Sequence, residues 1–101
     1  TRESYQQHVK AMGALFKECG ALRVVDCWAD DVPDGVLTSF PLAVKKESDE
    51  TVAFGWVEWR SKAERDEGFQ KVMADPRLAE HEPPFDGKRM IFGGFEMLAQ
   101  S

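Results

Sequence analysis

The sequence predicts a single α+β domain in which two amphipathic helices pack on one face of a β-sheet. Three observations support this fold class. Apolar residues recur at helical spacing in two separate segments, and strand-forming residues concentrate in four others. The 101 residues are enough for one hydrophobic core and too few for two. The sequence therefore predicts one domain over residues 1–101.

The chain opens directly into a predicted helix. Its apolar residues follow one another at steps of four and three and so form one stripe, made of Tyr5, Val9, Met12, Phe16 and Cys19. Gly20 comes next and supplies a usual helix stop.

Two strands are predicted to follow the first helix. Residues 21–29 combine β-branched and apolar side chains without a helical period. A turn at residues 32–35 contains Pro33 and Gly35, which favour tight reversals. A second strand is then expected over Val36–Val44, where Pro41 cannot donate to the ladder and so indicates a sheet edge or a bulge.

The clearest strand covers Thr51–Trp59, which alternates apolar side chains on both of its faces. A helix is predicted from Lys62, because Ser61 and Glu64 have the spacing of a capping box. It should end near residues 75–76, since a proline disfavours helix in the residue before it. A last strand is expected over Arg89–Leu98, with paired glycines in its middle.

The predicted element order is α-β-β-β-α-β, and its first helix has no strand before it. A strand preceding Thr1 would complete two β-α-β halves on one sheet, which is the ferredoxin-like arrangement. We therefore expect a ferredoxin-like sheet with two helices on one face and its first strand missing before Thr1.

Several blocks of the chain resemble the YbaA-like bacterial family, whose members have no known function. These blocks are residues 21–29, 31–35, 75–77, 85–91 and 93–95. The resemblance implies the dimeric α/β-barrel superfamily, in which two ferredoxin-like sheets pack face to face. It also implies a strand before the first helix, and it brings no established catalytic residues. The tract from Leu78 to Pro84 is shorter than the family usually has.

Both faces of the predicted sheet are apolar, although two helices can cover only one. A strand that is apolar on both sides requires cover on both sides. In so short a chain, the second cover is expected to be another copy of the protein, which gives a homodimer joined through its sheets. The alternative is a monomer with one partly exposed apolar face.

Composition bears on the classes of partner. The net charge is −5, from 18 acidic and 13 basic residues, and no basic stripe is visible, so nucleic acid is not expected. Apolar runs are too short to span a membrane, and no secretory leader is visible, which favours a cytoplasmic protein. Cys19 and Cys27 are expected to be free thiols, and neither their spacing nor that of the histidines predicts a metal site.

Four residues are candidates for a ligand site between the first helix and the sheet, namely His8, Asp26, Trp28 and Trp56. Asp26 lies among apolar residues, where a carboxylate is costly unless paired. It could act as a base, anchor a ligand, or form an ion pair with Arg23 of a partner copy or with Arg89. The tryptophans could line an aromatic pocket or serve as core and interface anchors.

Two classes of function follow, and no cofactor is predicted for either. One is an enzyme or binder of a small, flat, partly polar molecule. The other is a non-catalytic dimeric module that binds another protein or has a stress-related role. His8 is the histidine placed at the border of the helix stripe, whereas His81 is expected to face solvent in a loop.

Overall fold

The architecture of residues 1–80 and 82–101 is described by a computed structural model. Its elements, in chain order, are α1 (Arg2–Glu18), β1 (Arg23–Trp28), α2 (Phe40–Ala43), β2 (Ala53–Glu58), α3 (Lys62–Ala74), α4 (Pro76–Glu80) and a 3₁₀ turn at Gly87–Arg89. The α+β class is therefore confirmed. His81, which is expected to face solvent, lies outside the described residues.

Helix α1 has a defined start and stop. Thr1 and Ser4 form a capping box, in which the Thr1 hydroxyl accepts from the Ser4 amide at 3.1 Å. At the other end Gly20 adopts a φ of 112°, a left-handed conformation that favours glycine. The predicted first helix is confirmed.

Strands β1 and β2 form one antiparallel pair, in which Val24 lies opposite Val57 and Asp26 opposite Gly55. Both strands were expected within these segments. They are joined by residues 29–52 rather than by a tight turn, so this pair is not a short hairpin.

Helix α3 begins and ends as expected. The Ser61 hydroxyl accepts from the Glu64 amide at 3.1 Å, which satisfies one of the free donors of the first turn. The helix ends at Ala74, and Pro76 begins the short helix α4. Both helices α1 and α3 contribute to the packed part of the protein.

The core lies where these two helices meet the sheet. Leu15 of α1 and Val72 of α3 are 2% and 0% exposed. Three aromatic rings surround this contact at centroid separations of 5.6–6.2 Å, those of Phe16, Trp59 and Phe69. The edge-to-face and tilted arrangements are those that aromatic quadrupoles favour.

The strand predicted over Val36–Val44 is wrong. Residues 36–38 have no regular structure, and residues 40–43 form helix α2. Ser39 caps this helix by accepting from the Leu42 amide at 3.1 Å, and Pro41 occupies its first turn. A proline is well tolerated there, because a first-turn amide has no partner inside the helix.

The strand predicted over Arg89–Leu98 is also wrong. Arg89 ends the 3₁₀ turn, and residues 90–101 carry no regular secondary structure. The sheet has two strands, and within the described residues neither pairs with this segment. Alternating apolar residues become a strand only when a neighbour completes the hydrogen-bond ladder. The observed order of the main elements is therefore α-β-α-β-α-α.

The structure also bears on the predicted thiols and on membrane-spanning segments. Cys19 and Cys27 are free thiols. In residues 1–80 and 82–101, none of the helices combines the length and hydrophobicity needed to cross a bilayer.

Candidate functional site

The two faces of the sheet have different surroundings. Paired residues share a face, so Val24, Asp26 and Trp28 lie with Val57, Gly55 and Ala53. This inner face meets α1, since a methyl group placed on Gly13 would lie 3.7 Å from Val24. The outer face carries the alternate residues, which are Arg23, Val25, Cys27, Phe54, Trp56 and Glu58.

A group of mostly aromatic side chains lies at one end of the inner face. The Tyr5 ring lies 5.6 Å from Trp28 and 6.5 Å from Phe85, measured between centroids. The His8 ring lies 5.8 Å from Phe85 in an edge-on arrangement. Together with Asp26, these residues form what we call the inner-face cluster.

Asp26 supplies the negative charge of this cluster. Partial burial of the carboxyl raises its pKa above the ordinary value, and the nearby charge of His8 offsets part of that rise. The pKa of Tyr5 is also raised, first by burial of the phenol and then by the charge of Asp26. The charge of His8 therefore acts on Asp26, and the charge of Asp26 acts on Tyr5.

Gly55 makes room for the Asp26 side chain. A methyl group at Gly55 would lie 2.5 Å from one carboxylate oxygen of Asp26 and 2.6 Å from the Val25 carbonyl. Such separations are far below van der Waals contact, so any larger residue would displace the carboxylate. The absent side chain lets Asp26 lie across the neighbouring strand.

The structure therefore brings three of the four sequence-predicted residues together. His8, Asp26 and Trp28 share the inner-face cluster, whereas Trp56 lies on the outer face. Sequence reasoning missed Tyr5 and Phe85 as members. Tyr5 is one helical turn before His8, which is a usable signal, but Phe85 follows an irregular connection and gives none.

The outer face carries a second aromatic cluster. The Phe54 ring lies 6.2 Å from Phe40 and 5.8 Å from Trp56. The Trp56 indole donates to Glu58 at 2.8 Å, and Glu58 also lies 3.8 Å from Arg23. The three rings are 58%, 52% and 42% exposed for Phe40, Phe54 and Trp56. We call these three residues the outer-face cluster.

Arg89 ties the C-terminal part of the chain to the connection between the strands. Its guanidinium donates to both carboxylate oxygens of Glu50, to Asp86 at 3.0 Å and to the Lys45 carbonyl at 3.0 Å. A bidentate arginine–carboxylate pair is among the stronger polar contacts. Because these acceptors occupy the guanidinium, Arg89 is neither paired with Asp26 nor open to an anion.

The Arg89–Glu50 pair predicts an unusual titration. Arg89 holds the pKa of the Glu50 carboxyl down, from 4.5 to about 2. A carboxyl with a depressed pKa stabilises the fold fully above the unfolded value, and this contribution is lost as pH falls towards the folded value. We expect the tether to loosen between about pH 4.5 and about pH 2.

Carbon-detected NMR of the Glu50 carboxyl measures this directly. In the parent protein the Glu50 carboxyl should titrate with a midpoint of about 2. The Arg89→Gln substitution should raise this midpoint towards 4.5. Lys71→Gln is the matched control, since Lys71 pairs with Glu67 elsewhere on the chain. Equal midpoints in the protein and in Arg89→Gln would contradict the tether.

Two cavities lie apart from both clusters. One of about 610 Å³ is formed by residues that follow β1 and precede β2, including Asp30, Asp34 and Lys46. The other, of about 160 Å³, lies between the end of α1 and α3. Neither is lined by the four predicted site residues. In the described part of the chain, no three His, Cys, Asp or Glu side chains converge to hold a metal ion.

Comparison with known proteins gives a family without an assigned activity. The chain is 52% identical over 99 residues to the uncharacterized protein YbaA of Escherichia coli strain K12, which covers 96% of this chain and 85% of that protein. The same values hold for uncharacterized protein YbaA of Shigella flexneri. Residues 1–87 match the family described as "Protein of unknown function (DUF1428)". The chain therefore belongs to the DUF1428 family.

Proposed function

We propose that the protein works as a homodimer joined through the outer face of its sheet. The observation that carries this proposal is the exposed outer-face cluster, in which three large rings contact one another without cover. Exposed apolar clusters of this kind mark interaction surfaces. A second copy presents the same rings, so a two-fold axis would pack them against each other.

The chain exposes more surface than a compact monomer would, and its most exposed apolar residues, Val36, Leu37, Phe92, Phe95 and Leu98, contribute to this excess together with the outer-face cluster. The chain has an accessible surface of 8254 Å², whereas a compact monomer of its mass would expose about 5,800 Å². Its radius of gyration is 14.8 Å, against about 12.7 Å for a compact chain of this length. A stable interface buries about 800 Å² per partner, which lies well within this excess.

Charge at the border of the outer face also favours self-association. Arg23 and Glu58 lie side by side on neighbouring strands at the rim of the outer-face cluster. A two-fold axis that passes close to this end of the strand pair would set the Arg23 of one copy near the Glu58 of the other and so add complementary contacts. Face-to-face packing of two sheets is also the arrangement that the family resemblance implies, although each copy here contributes a sheet of two strands within the described residues. We place this dimer in the cytoplasm, in keeping with its two free thiols.

Light scattering coupled to gel filtration tests the dimer. At about 50 μM, the protein should elute with twice its chain mass of 11.4 kDa. Trp56→Glu should weaken association by roughly 30-fold or more, because a buried charge replaces a ring at the centre of the interface. Met73→Glu is the matched control, since Met73 is 61% exposed on α3 and off this face.

Phe40→Ser provides a second variant that leaves both strands unchanged. It should also weaken the dimer, and far-UV circular dichroism checks that both variants remain folded. A monomeric parent protein at this concentration would overturn the proposal. A dimer that neither substitution weakens would show that the copies meet elsewhere.

A second function is supported by a separate observation. Asp26 lies beside aromatic rings and a histidine on the inner face, and its pKa is raised by partial burial. Perturbed carboxyls beside apolar surface are typical of binding sites. We propose that the inner-face cluster binds a small, flat organic molecule, with His8, Asp26 and Trp28 among its contacts.

Aromatic fragments added to ¹⁵N-labelled protein should shift the NMR signal of the Trp28 indole. A Trp28 signal that responds to no fragment would reject the site.

A further inference from the structure

The inner-face cluster combines one carboxylate with several aromatic rings. Within the described residues, Asp26 makes no hydrogen bond or ion pair. From the sequence, Arg23 and Arg89 are possible ion-pair partners of Asp26. In the structure, Arg23 pairs with Glu58 and Arg89 pairs with Glu50. No arginine or lysine in the described part of the chain therefore neutralises the carboxylate. The charge of His8 acts on it, and a further positive charge is what the carboxylate would attract.

The rings around Asp26 favour the same sign of charge. Tyr5 and Trp28 are inclined at 47°, and Tyr5 and Phe85 at 63°, so these rings are tilted against one another and do not form a flat stack. The face of an aromatic ring carries negative charge and attracts cations, and rings at an angle are a common way to hold a quaternary ammonium group. An anion would meet both the carboxylate and these ring faces.

The site is also accessible. Asp26 is exposed on the sheet, Phe85 is 43% exposed, and Tyr5 and Trp28 are only partly buried. The space over Gly55 is filled by the carboxylate itself, and Gly55 contributes no side chain that would cover it. The protein's net charge of −5 adds a long-range attraction for cations.

We propose that the inner-face cluster binds an organic cation, in which an ammonium group lies against Asp26 and the rings of Tyr5, Trp28 and Phe85. This inference rests on the second function proposed above and specifies its ligand class. Asp26 supplies the ionic contact, the rings supply the cation–π contacts, and Phe85 closes one side from the connection after α4.

The experiment compares probes that differ in charge but not greatly in shape. Benzyltrimethylammonium and choline are the cations, benzyl alcohol and 3,3-dimethylbutan-1-ol are their neutral counterparts, and benzoate is the anion. Each is titrated into ¹⁵N-labelled protein at pH 8, above the pKa of an ordinary imidazole, with ionic strength held constant by sodium chloride. The three indole N–H signals are followed.

The expected result is selective in both ligand and position. The cations should shift the Trp28 indole signal and bind at least tenfold more tightly than their neutral counterparts. Trp56 serves as an internal control, because its indole donates to Glu58 on the opposite face. Asp26→Asn should weaken cation binding by roughly tenfold, whereas Asp31→Asn, in the exposed loop after β1, should leave it unchanged.

A third variant covers the case in which Asp26→Asn does not fold. Phe85 lies outside the helices and strands, so Phe85→Leu should keep the fold and weaken cation binding severalfold while sparing the neutral probes. Cations that bind no better than the neutral probes would overturn the cation inference and leave the small-molecule site standing. A Trp28 signal that responds to no probe would reject both. Shifts centred on Trp56 would place binding outside the cluster and overturn the inference.

Discussion

Replacing Gly68 with alanine is expected to destabilise the protein by about 2 kcal/mol, although the same change normally stabilises a helix by about 1 kcal/mol. The reason is the packing of α3 on the core. A methyl group at Gly68 would overlap the Trp59 ring and lie 2.9 Å from the Cys19 carbonyl. Trp59 is itself held between Phe16 and Phe69, so it cannot move aside without opening the core.

Gly13→Ala provides the matched control for Gly68→Ala. Gly13 also lies inside a helix, but its added methyl group would meet Val24 at 3.7 Å, an ordinary contact. We expect this variant to be more stable than the parent by about 0.5–1 kcal/mol. Urea unfolding followed by circular dichroism measures both. If both variants gain stability equally, Gly68 is not a close-packed position.

Leu15→Ala is expected to lower the free energy of unfolding by about 3 kcal/mol. Leu15 is 2% exposed and lies where α1 meets the rest of the core, so truncation removes buried methyl groups and leaves a cavity. Met73→Ala, at a site that is 61% exposed, should change stability by less than about 0.5 kcal/mol.

Chemical unfolding of Leu15→Ala at one fixed protein concentration checks this result, because self-association would make stability depend on concentration. The midpoint should fall while the slope stays constant, since the surface exposed on unfolding is nearly the same. Equal losses for Leu15→Ala and Met73→Ala would mean that the core does not lie between α1 and α3.

The elements that sequence predicted correctly are those fixed by local chemistry. Helix α1 follows from its apolar period and glycine stop, and α3 from the Ser61 cap and the proline after it. Strand identity over residues 36–44 and 89–98 was predicted wrongly for two reasons. Over residues 36–44 the local signals of Ser39 and Pro41 favour a short helix, so this error is an exception in which local chemistry was misread. The C-terminal segment depends on a distant neighbour that no local pattern reveals.

The members of the site could be predicted where they lie on one element, but not where they depend on the pairing of two strands. His8 and Tyr5 share a helix face by spacing, and Asp26 and Trp28 share a strand face by alternation. The face that Trp56 takes relative to Asp26 depends on the pairing of two strands, and a shift by one residue would reverse it. Sequence alone therefore identified three members of the inner-face cluster but could not establish that the fourth belongs to the other face.

The missing side chain at Gly55 has a consequence for the register in which the two strands pair. In a tight hairpin the turn dictates which residues face each other, but residues 29–52 form a long connection here. Doubling the length of such a flexible loop costs only about 0.6 kcal/mol of chain entropy, so the connection tolerates many relative positions of the strands. Sliding β2 by one residue would bring Phe54 or Trp56 beneath the Asp26 carboxylate in place of Gly55. Gly55 thus favours the observed register, because in a shifted one a large side chain would stand where the Asp26 carboxylate lies.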